Sequence, residues 1–544
     1  MQVRSSWRVA IAAAVVLASG CSGGSGGPGT PSRHSVEGGV SGLEGTGLVL
    51  QNNAGDDVTV NEDGRFTFAT PVAQGASYAV TVKSQPRARI PGLITCSVAS
   101  GTGTMTSANV TNVAVTCSTT ALSFAFDGTN GYGLWRTDGT AAGTMMVKAI
   151  NLHGSHGLMA FNGAFYFRAA DATHGDEIWK TDGTETGTVI LKDINPGGGD
   201  SSPHSFIAVN GVLFFIANYG TNACALWKTD GTDAGTVMVK GFEPNGGTYP
   251  QYLTAFNGAL YFQFTSTRGS ELWKSDGTDA GTVMLKDIDP MRSSNPGGLT
   301  AFDGALYFSA SDGTNGTALW KTDGTDAGTV MVKDIDPVDP IGRLRPFRFT
   351  ALNGALYFAA SDGTNGEELW RTDGTDAGTV MVKDIYPRGD SSPQYLTAFN
   401  GMLYFQADDI HSSELWKTDG TDAGTVMVKD INPGGDASEP ELFTAFGGAL
   451  YFRADDGTHG YELWKTDGTD AGTVMVKDIN PGGGASMPAY FTAINGALYF
   501  SASDGTHGYE LWKTDGTDAG TYMVIDINAG GAAGFCGFKS CYAE

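Results

Sequence analysis

Along most of the chain, apolar and polar positions alternate in short runs with the period of two expected of half-buried strands. Residues 396 to 431 show the pattern in full. Leu396 to Phe399 predicts a strand, Asn400-Gly401 a two-residue turn, and Met402 to Ala407 a second strand. Asp408 to Ser413 reads as a loop, Glu414 to Thr418 as a third strand, Asp419 to Gly424 as another loop, and Thr425 to Ile431 as the fourth strand. The turn dipeptide recurs as Asn162-Gly163, Asn210-Gly211, Asn257-Gly258, Asn353-Gly354 and Asn495-Gly496, with Asp303-Gly304 and Gly447-Gly448 as equivalents. Such dipeptides suit a type I′ turn, which needs φ > 0 at both central residues. Each unit therefore predicts a four-stranded antiparallel meander, and nothing in the array reads as helix.

Trp keeps the register of these units. Trp135, Trp179, Trp227, Trp273, Trp320, Trp370, Trp416, Trp464 and Trp512 mark nine copies from residue 121 onward, spaced by 44 to 50 residues. Four-stranded units of about 40–50 residues are the blades of β-propellers. The first unit starts at Ala121-Leu122-Ser123-Phe124, which matches second strands such as Ala259-Leu260-Tyr261-Phe262, so it lacks a first strand. The tail Gly534-Phe535-Cys536-Gly537-Phe538 aligns loosely with Tyr395-Leu396-Thr397-Ala398-Phe399. The expected fold is all-β: a propeller of about nine four-stranded blades over 119–544, closed by the C-terminal strand. Closure removes sheet edges that invite aggregation. An open solenoid, or an eight-blade ring with a spare unit, is the alternative.

Residues 37–118 predict a separate, small β-sandwich. Gly47 to Leu50, Val58 to Val60, Phe66 to Phe68, Tyr78 to Val82 and Val113 to Val115 are short strand-like runs broken by turn residues. The segment resembles a small repeat unit of bacterial surface proteins, on Gly47 to Asn53 and Phe66 to Thr70; that resemblance assigns it no established role, and a spacer is the plain expectation. Cys96 and Cys117 are expected to pair, closing a loop worth roughly 3 kcal/mol by the loop-entropy model.

Residues 1–20 read as an export signal: Arg4 and Arg8 precede an apolar core from Val9 to Leu17. That core is too short to cross a bilayer as a mature helix, and no other stretch has 18 consecutive apolar residues. Ala18-Ser19-Gly20-Cys21 resembles the lipobox of bacterial lipoproteins, with Ala18 where Leu is usual. The resemblance implies lipidation of Cys21 and a lipid anchor in the membrane. Ser22 in place of Asp implies the absence of inner-membrane retention, hence the outer membrane or cell surface. An ordinary secretory signal is the alternative. Gly, Ser and Pro in 21–36 predict a flexible tether.

Composition sharpens this picture in two places. The chain of 544 residues has 58 acids against 33 bases, a net charge of −25, which excludes nucleic-acid binding by phosphate neutralisation. Six Cys do not make a disulfide scaffold. With Cys21 lipidated, Cys96–Cys117 paired and Cys536–Cys541 closing a small loop, Cys224 is left over. It is either buried and inert or paired between molecules.

Glu414-Leu415-Trp416-Lys417-Thr418-Asp419-Gly420-Thr421 resembles the bacterial family of Glu-Leu-Trp-x-x-Asp-Gly-Thr (ELWxxDGT) repeat proteins, over about 410 residues and nine copies. The resemblance implies an exported repeat protein exposed at the surface. It implies no established activity.

Three repeated columns carry candidate chemistry. Asp138, Asp182, Asp230, Asp276, Asp323, Asp373, Asp419, Asp467 and Asp515 occupy one loop of each unit. Turn formation explains an Asp there. Calcium ligation is the alternative, although the spacing is not that of a known calcium loop; no other cofactor is expected. The Trp column fits inter-blade packing, with sugar stacking as its alternative. Five residues before each Trp stand Asn130, His174, Asn222, Arg268, Asn315, Asn365, His411, His459 and His507. Asn and His tolerate left-handed backbone in turns, yet this rim is also where a ligand face would lie. Arg343, Arg345 and Arg348 form a cationic insertion that either receives an anion or stays solvated. No Gly-x-Ser-x-Gly, His-Glu-x-x-His, phosphate-loop or dinucleotide motif is present. The expectation is a non-enzymatic binding or adhesion scaffold for a glycan, matrix or partner protein. A self-associating envelope component and a glycan-active enzyme on the rim are the alternatives.

Overall fold

The computed structural model describes residues 31–535 apart from 89–91, 152–156, 172, 221–223, 243–248, 337–345, 388, 411, 435, 530 and 532–534. The described residues form strands throughout, and no helix among them is long and apolar enough to cross a membrane. Eight four-stranded antiparallel sheets follow one another, each with its strands in sequence order. This is a propeller-like arrangement.

The seventh unit has strands Gln394–Phe399, Met402–Asp409, Ser412–Thr418 and Val426–Lys429. Its first strand begins two residues before the expected Leu396, because a bulge carries the pairing on to Gln394↔Gln406. Its fourth strand stops short of the expected Ile431, whose N–H is taken by the Glu414 carboxylate at 3.0 Å. The turn is as expected: Asn400 and Gly401 have φ of 48° and 77°.

Successive units share their cores. Tyr357, Leu369, Val382 and Ile385 of the sixth unit pack with Leu403, Phe405, Ala407 and Trp416 of the seventh. The Trp is thus a wedge between sheets, an arrangement that removes about 150–250 Å² of aromatic surface from water. A second contact repeats at the unit boundaries: Lys417 Nζ donates to the Gly468 carbonyl of the next unit at 2.8 Å, beneath the Tyr404 hydroxyl. The ninth unit makes this contact with the first. Tyr499 Oη and Lys513 Nζ both donate to the Gly139 carbonyl, at 3.3 and 3.4 Å. Asn495 accepts from the Thr119 N–H and donates to its carbonyl.

The first unit contributes Tyr132–Thr137, Met145–Ala149 and the far half of a 17-residue strand, Val110–Phe126. Phe535 bridges Ala125 where the missing strand was expected; the rest of that tail lies outside the described residues.

The boundary expected at 118 falls inside the Val110–Phe126 strand. Its near half pairs antiparallel with Gly92–Ala99 and parallel with Val36–Ser41. Strands at Arg33–His34 and Val36–Ser41 also place structure where the tether was expected to run. The reason is pairing: the Phe68 N–H bonds the Val36 carbonyl, and Val36 is fully buried. Leu48, Leu50 and Val80 from a second sheet share one core with Val36, Val40, Val113 and Val115. A Cys96–Cys117 disulfide joins directly paired residues of neighbouring strands.

Candidate functional site: the mouth of the inner strands

A meander sends alternate connections to alternate ends. The Asn-Gly turns and the Asp-Gly-Thr loops therefore share one end of the array. The His and Asn loops share the other with the linkers between units. The N-terminal domain touches the first end: Glu44 accepts from the Gly496 N–H, and Leu93 lies against Gly183. The second end points away from it.

At the first end all nine Asp do the same thing. Asp467 Oδ1 accepts from the Thr469 N–H at 2.8 Å and from its hydroxyl at 2.7 Å, and Asp138, Asp182, Asp230, Asp276, Asp323, Asp373, Asp419 and Asp515 make the same pair of bonds. These hydrogen bonds hold the Asp467 carboxyl below its ordinary range. A Cβ at Gly472 would stand 2.1 Å from Asp467 Oδ1, which explains the invariant Gly. Among the described residues, no three His, Cys, Asp or Glu side chains gather as metal ligands would. The second acid of the loop serves the neighbouring unit: Asp470 accepts from Lys429 at 2.9 Å, and six further Lys–Asp pairs repeat this at 2.8 to 3.0 Å. At the junction of last and first units, Ile525 and Ala141 replace both partners.

At the second end, the His and Asn column closes turns. His174, His459 and His507 bond Asp171, Asp456 and Asp504 three residues earlier; Asn130, Asn315 and Asn365 do so with Asp127, Asp312 and Asp362. The carboxylate raises each of these His pKa values. The exposed Arg268 donates its backbone N–H to Ser266. Cys224 is a half-buried free thiol, its pKa pushed up to about 12 by burial. Cys21, Arg343, Arg345, His411, Cys536 and Cys541 lie outside the described residues.

Arg348 belongs to neither column. It is the second residue of the strand Phe347–Leu352, the innermost of the sixth unit. The inner strands of units three to nine all carry a bulge there. The residue in that bulge is left-handed: Ser205, Tyr252, Gly298, Arg348, Tyr395, Leu442 and Tyr490 have φ between 56° and 67°. Left-handed backbone is unfavourable for bulky side chains, and a bulge re-aims the side chain it carries. Only one of the seven is Gly, and their chemistry differs from unit to unit. Four of them, Arg348, Tyr395, Leu442 and Tyr490, line a cavity of about 760 Å³ with Phe349, Gln394 and Phe443.

Polar bonds fix this lining. Tyr395 Oη donates to Glu441 Oε2 at 2.7 Å, and Glu441 Oε1 accepts from Arg453 Nε at 2.6 Å. Arg348 donates to the Pro393 carbonyl at 3.0 Å, stacks on Phe347 and lies 3.7 Å from Glu367. The sequence signal for this site is the variation at the start of the inner strands, set against the Trp and Asp-Gly-Thr positions that repeat in every unit. Loop residues, the usual place to look, hid it.

A second set is the Glu two residues before Trp, in Glu-Leu-Trp or, at Glu177, Glu-Ile-Trp. Glu177, Glu271, Glu368, Glu414, Glu462 and Glu510 are fully buried. Glu462 accepts from the Ile479 N–H, the Ser486 N–H and the Ser486 hydroxyl, and Ser486 in turn bonds Ser503 of the next unit. The Glu therefore pins the linker between units. Burial pushes the carboxyls of Glu368, Glu414, Glu462 and Glu510 up to about 7.

No family model matches this chain, and no curated protein matches it either. Two solved structures share a distant likeness. One, from a structural and mechanistic analysis of two prolyl endopeptidases, is 14% identical with a TM-score of 0.36, over 59% of this chain and 49% of that one. The other, the crystal structure of puromycin hydrolase, is 14% identical with a TM-score of 0.31, over 64% of this chain and 58% of that one. The chain thus spans about half the length of the solved structures it resembles.

Proposed function

We propose that this protein is an exported, lipid-anchored binding scaffold of the ELWxxDGT repeat type, a closed propeller of nine blades carried on a small β-sandwich. The repeat of the Tyr–Gly and Lys–Gly contacts between the ninth and first units supports closure, and the bridge from Phe535 to Ala125 supports a tail strand completing the first blade. Its ligand binds at the mouth of the inner strands. One observation carries this reading: the left-handed bulge column holds side chains of differing chemistry at the mouth, while the Trp and Asp-Gly-Thr positions that join the units repeat in every copy. With Cys21 in the membrane and the N-terminal domain on the opposite end, the mouth faces outward to a glycan, matrix or partner protein.

The test is an unbiased screen of the detergent-solubilised full chain against glycans, matrix proteins and partner cells. Binding that survives Asp419→Asn at the far end but falls with bulge-column changes is the expected result. The absence of any ligand, with oligomers that grow with concentration in sedimentation, would instead identify an envelope component.

A further inference from the structure

The arc of units six to nine specifies a ligand chemistry, given the reading of this mouth as a binding face. We propose that it binds a saccharide chain carrying carboxylates, with the Tyr395 ring as stacking platform and Arg348 as the carboxylate receptor.

Tyr395 is 39% exposed although its hydroxyl is bonded. A ring held by the Glu441–Arg453 pair presents a fixed, amphipathic face, and a fixed face loses little entropy on binding. Tyr490 and Phe349 extend the aromatic lining on either side. Arg348 brings a guanidinium to the same cavity; it donates to the Pro393 carbonyl and lies 3.7 Å from Glu367, and its fork of five N–H donors has further donors to offer a carboxylate. Its planar fork suits a carboxylate, and phosphate-rich ligands would meet only this one described cation in the lining.

A peptide added as an extra strand fits less well. Strand addition needs open main-chain carbonyls on the inner edge. Here the carbonyls of Tyr252, Gly298, Tyr395, Leu442 and Tyr490 each accept from the Thr hydroxyl two residues on. At the bulge of these strands, the carbonyl a strand would need is already taken, and side chains are what the column offers.

Gly298 occupies the same bulge with φ 67°, so Gly at 348 or 395 removes a side chain without disturbing the backbone. The detergent-solubilised full chain is titrated by calorimetry with a galacturonate hexamer, a neutral glucose hexamer and hexaglutamate. Wild type is expected to prefer the acidic sugar to the neutral one by about tenfold, the effect of one charge-assisted pair. Arg348→Gly erases that preference, and Tyr395→Gly weakens both sugars. Equal binding by wild type and both variants overturns the site while leaving a binding face elsewhere on the mouth. Preference for hexaglutamate, or no sugar binding by wild type, overturns the saccharide; a ligand found in the wider screen would still uphold the scaffold.

Discussion

The two ends of the array use the same strands differently. At the Asp-Gly-Thr end, the repeated polar side chains are committed to their own loop or the neighbouring one: Asp467 to Thr469, Asp470 to Lys429. At the mouth, side chains at one column differ and line open space. Copying marks what holds units together, and divergence marks what the units present.

The largest blow to the copied end should come from Gly468→Ala. Its φ is 94°, and a Cβ would stand 2.2 Å from the Tyr404 hydroxyl. A loss of about 3 kcal/mol is expected in chemical denaturation; a change below about 0.5 kcal/mol would mean that the contact is not a structural joint.

Next comes pH. The buried carboxyls of Glu368, Glu414, Glu462 and Glu510 titrate above the ordinary value of 4.5, at about 7. Their stabilising effect is complete below about pH 4.5 and lost as pH rises through about 7. Asp467 and Asp419 in the turns are shifted downward, so their share is lost only in strong acid. Thermal stability should therefore peak near pH 5 and fall towards pH 8. Glu414→Gln should flatten that fall by on the order of 1–2 kcal/mol per site. A melting temperature that rises steadily from pH 5 to pH 8 would contradict the assignment.

Asp467→Ala should lower the melting temperature only slightly by releasing the Thr469 donors, with no effect on ligand binding. Tyr395→Gly should do the reverse: unchanged or slightly raised stability, by up to about 1 kcal/mol, because a bulky left-handed residue is relieved. If Asp467→Ala instead abolished binding, the division between the two ends would fail. Chelation stands last, with no expected shift in melting temperature. A calcium-dependent rise, with metal found in several copies per chain, would make the Asp column a ligand set after all.

Much of the fold was legible because turn residues declare themselves. Asn-Gly turns, alternating apolar runs and the Trp register gave the four-stranded units nearly residue by residue. The ends of strands were harder, since they depend on partners distant in sequence: Ile431 leaves its strand for Glu414, and Gln394 joins one through a bulge. The start of the folded N-terminal part was misplaced for the same reason, as Arg33 to Val36 look like tether until Phe68 and Ala73 pair with them. The cavity at the inner strands was hidden because left-handed backbone at Tyr395 or Arg348 has no sequence mark comparable to a Gly.

The strand Val110–Phe126 carries a mechanical consequence. It belongs to the N-terminal sheet in its near half and to the first repeat unit in its far half. No linker residue separates the two, so there is no swivel between them. A load on the repeat array passes into this β-ribbon, stapled by Cys96–Cys117, and runs lengthwise along it. Lengthwise pulling shears a whole ladder of hydrogen bonds at once rather than peeling them singly. Such a joint resists tension drawn between the N-terminal sheet and the repeat array.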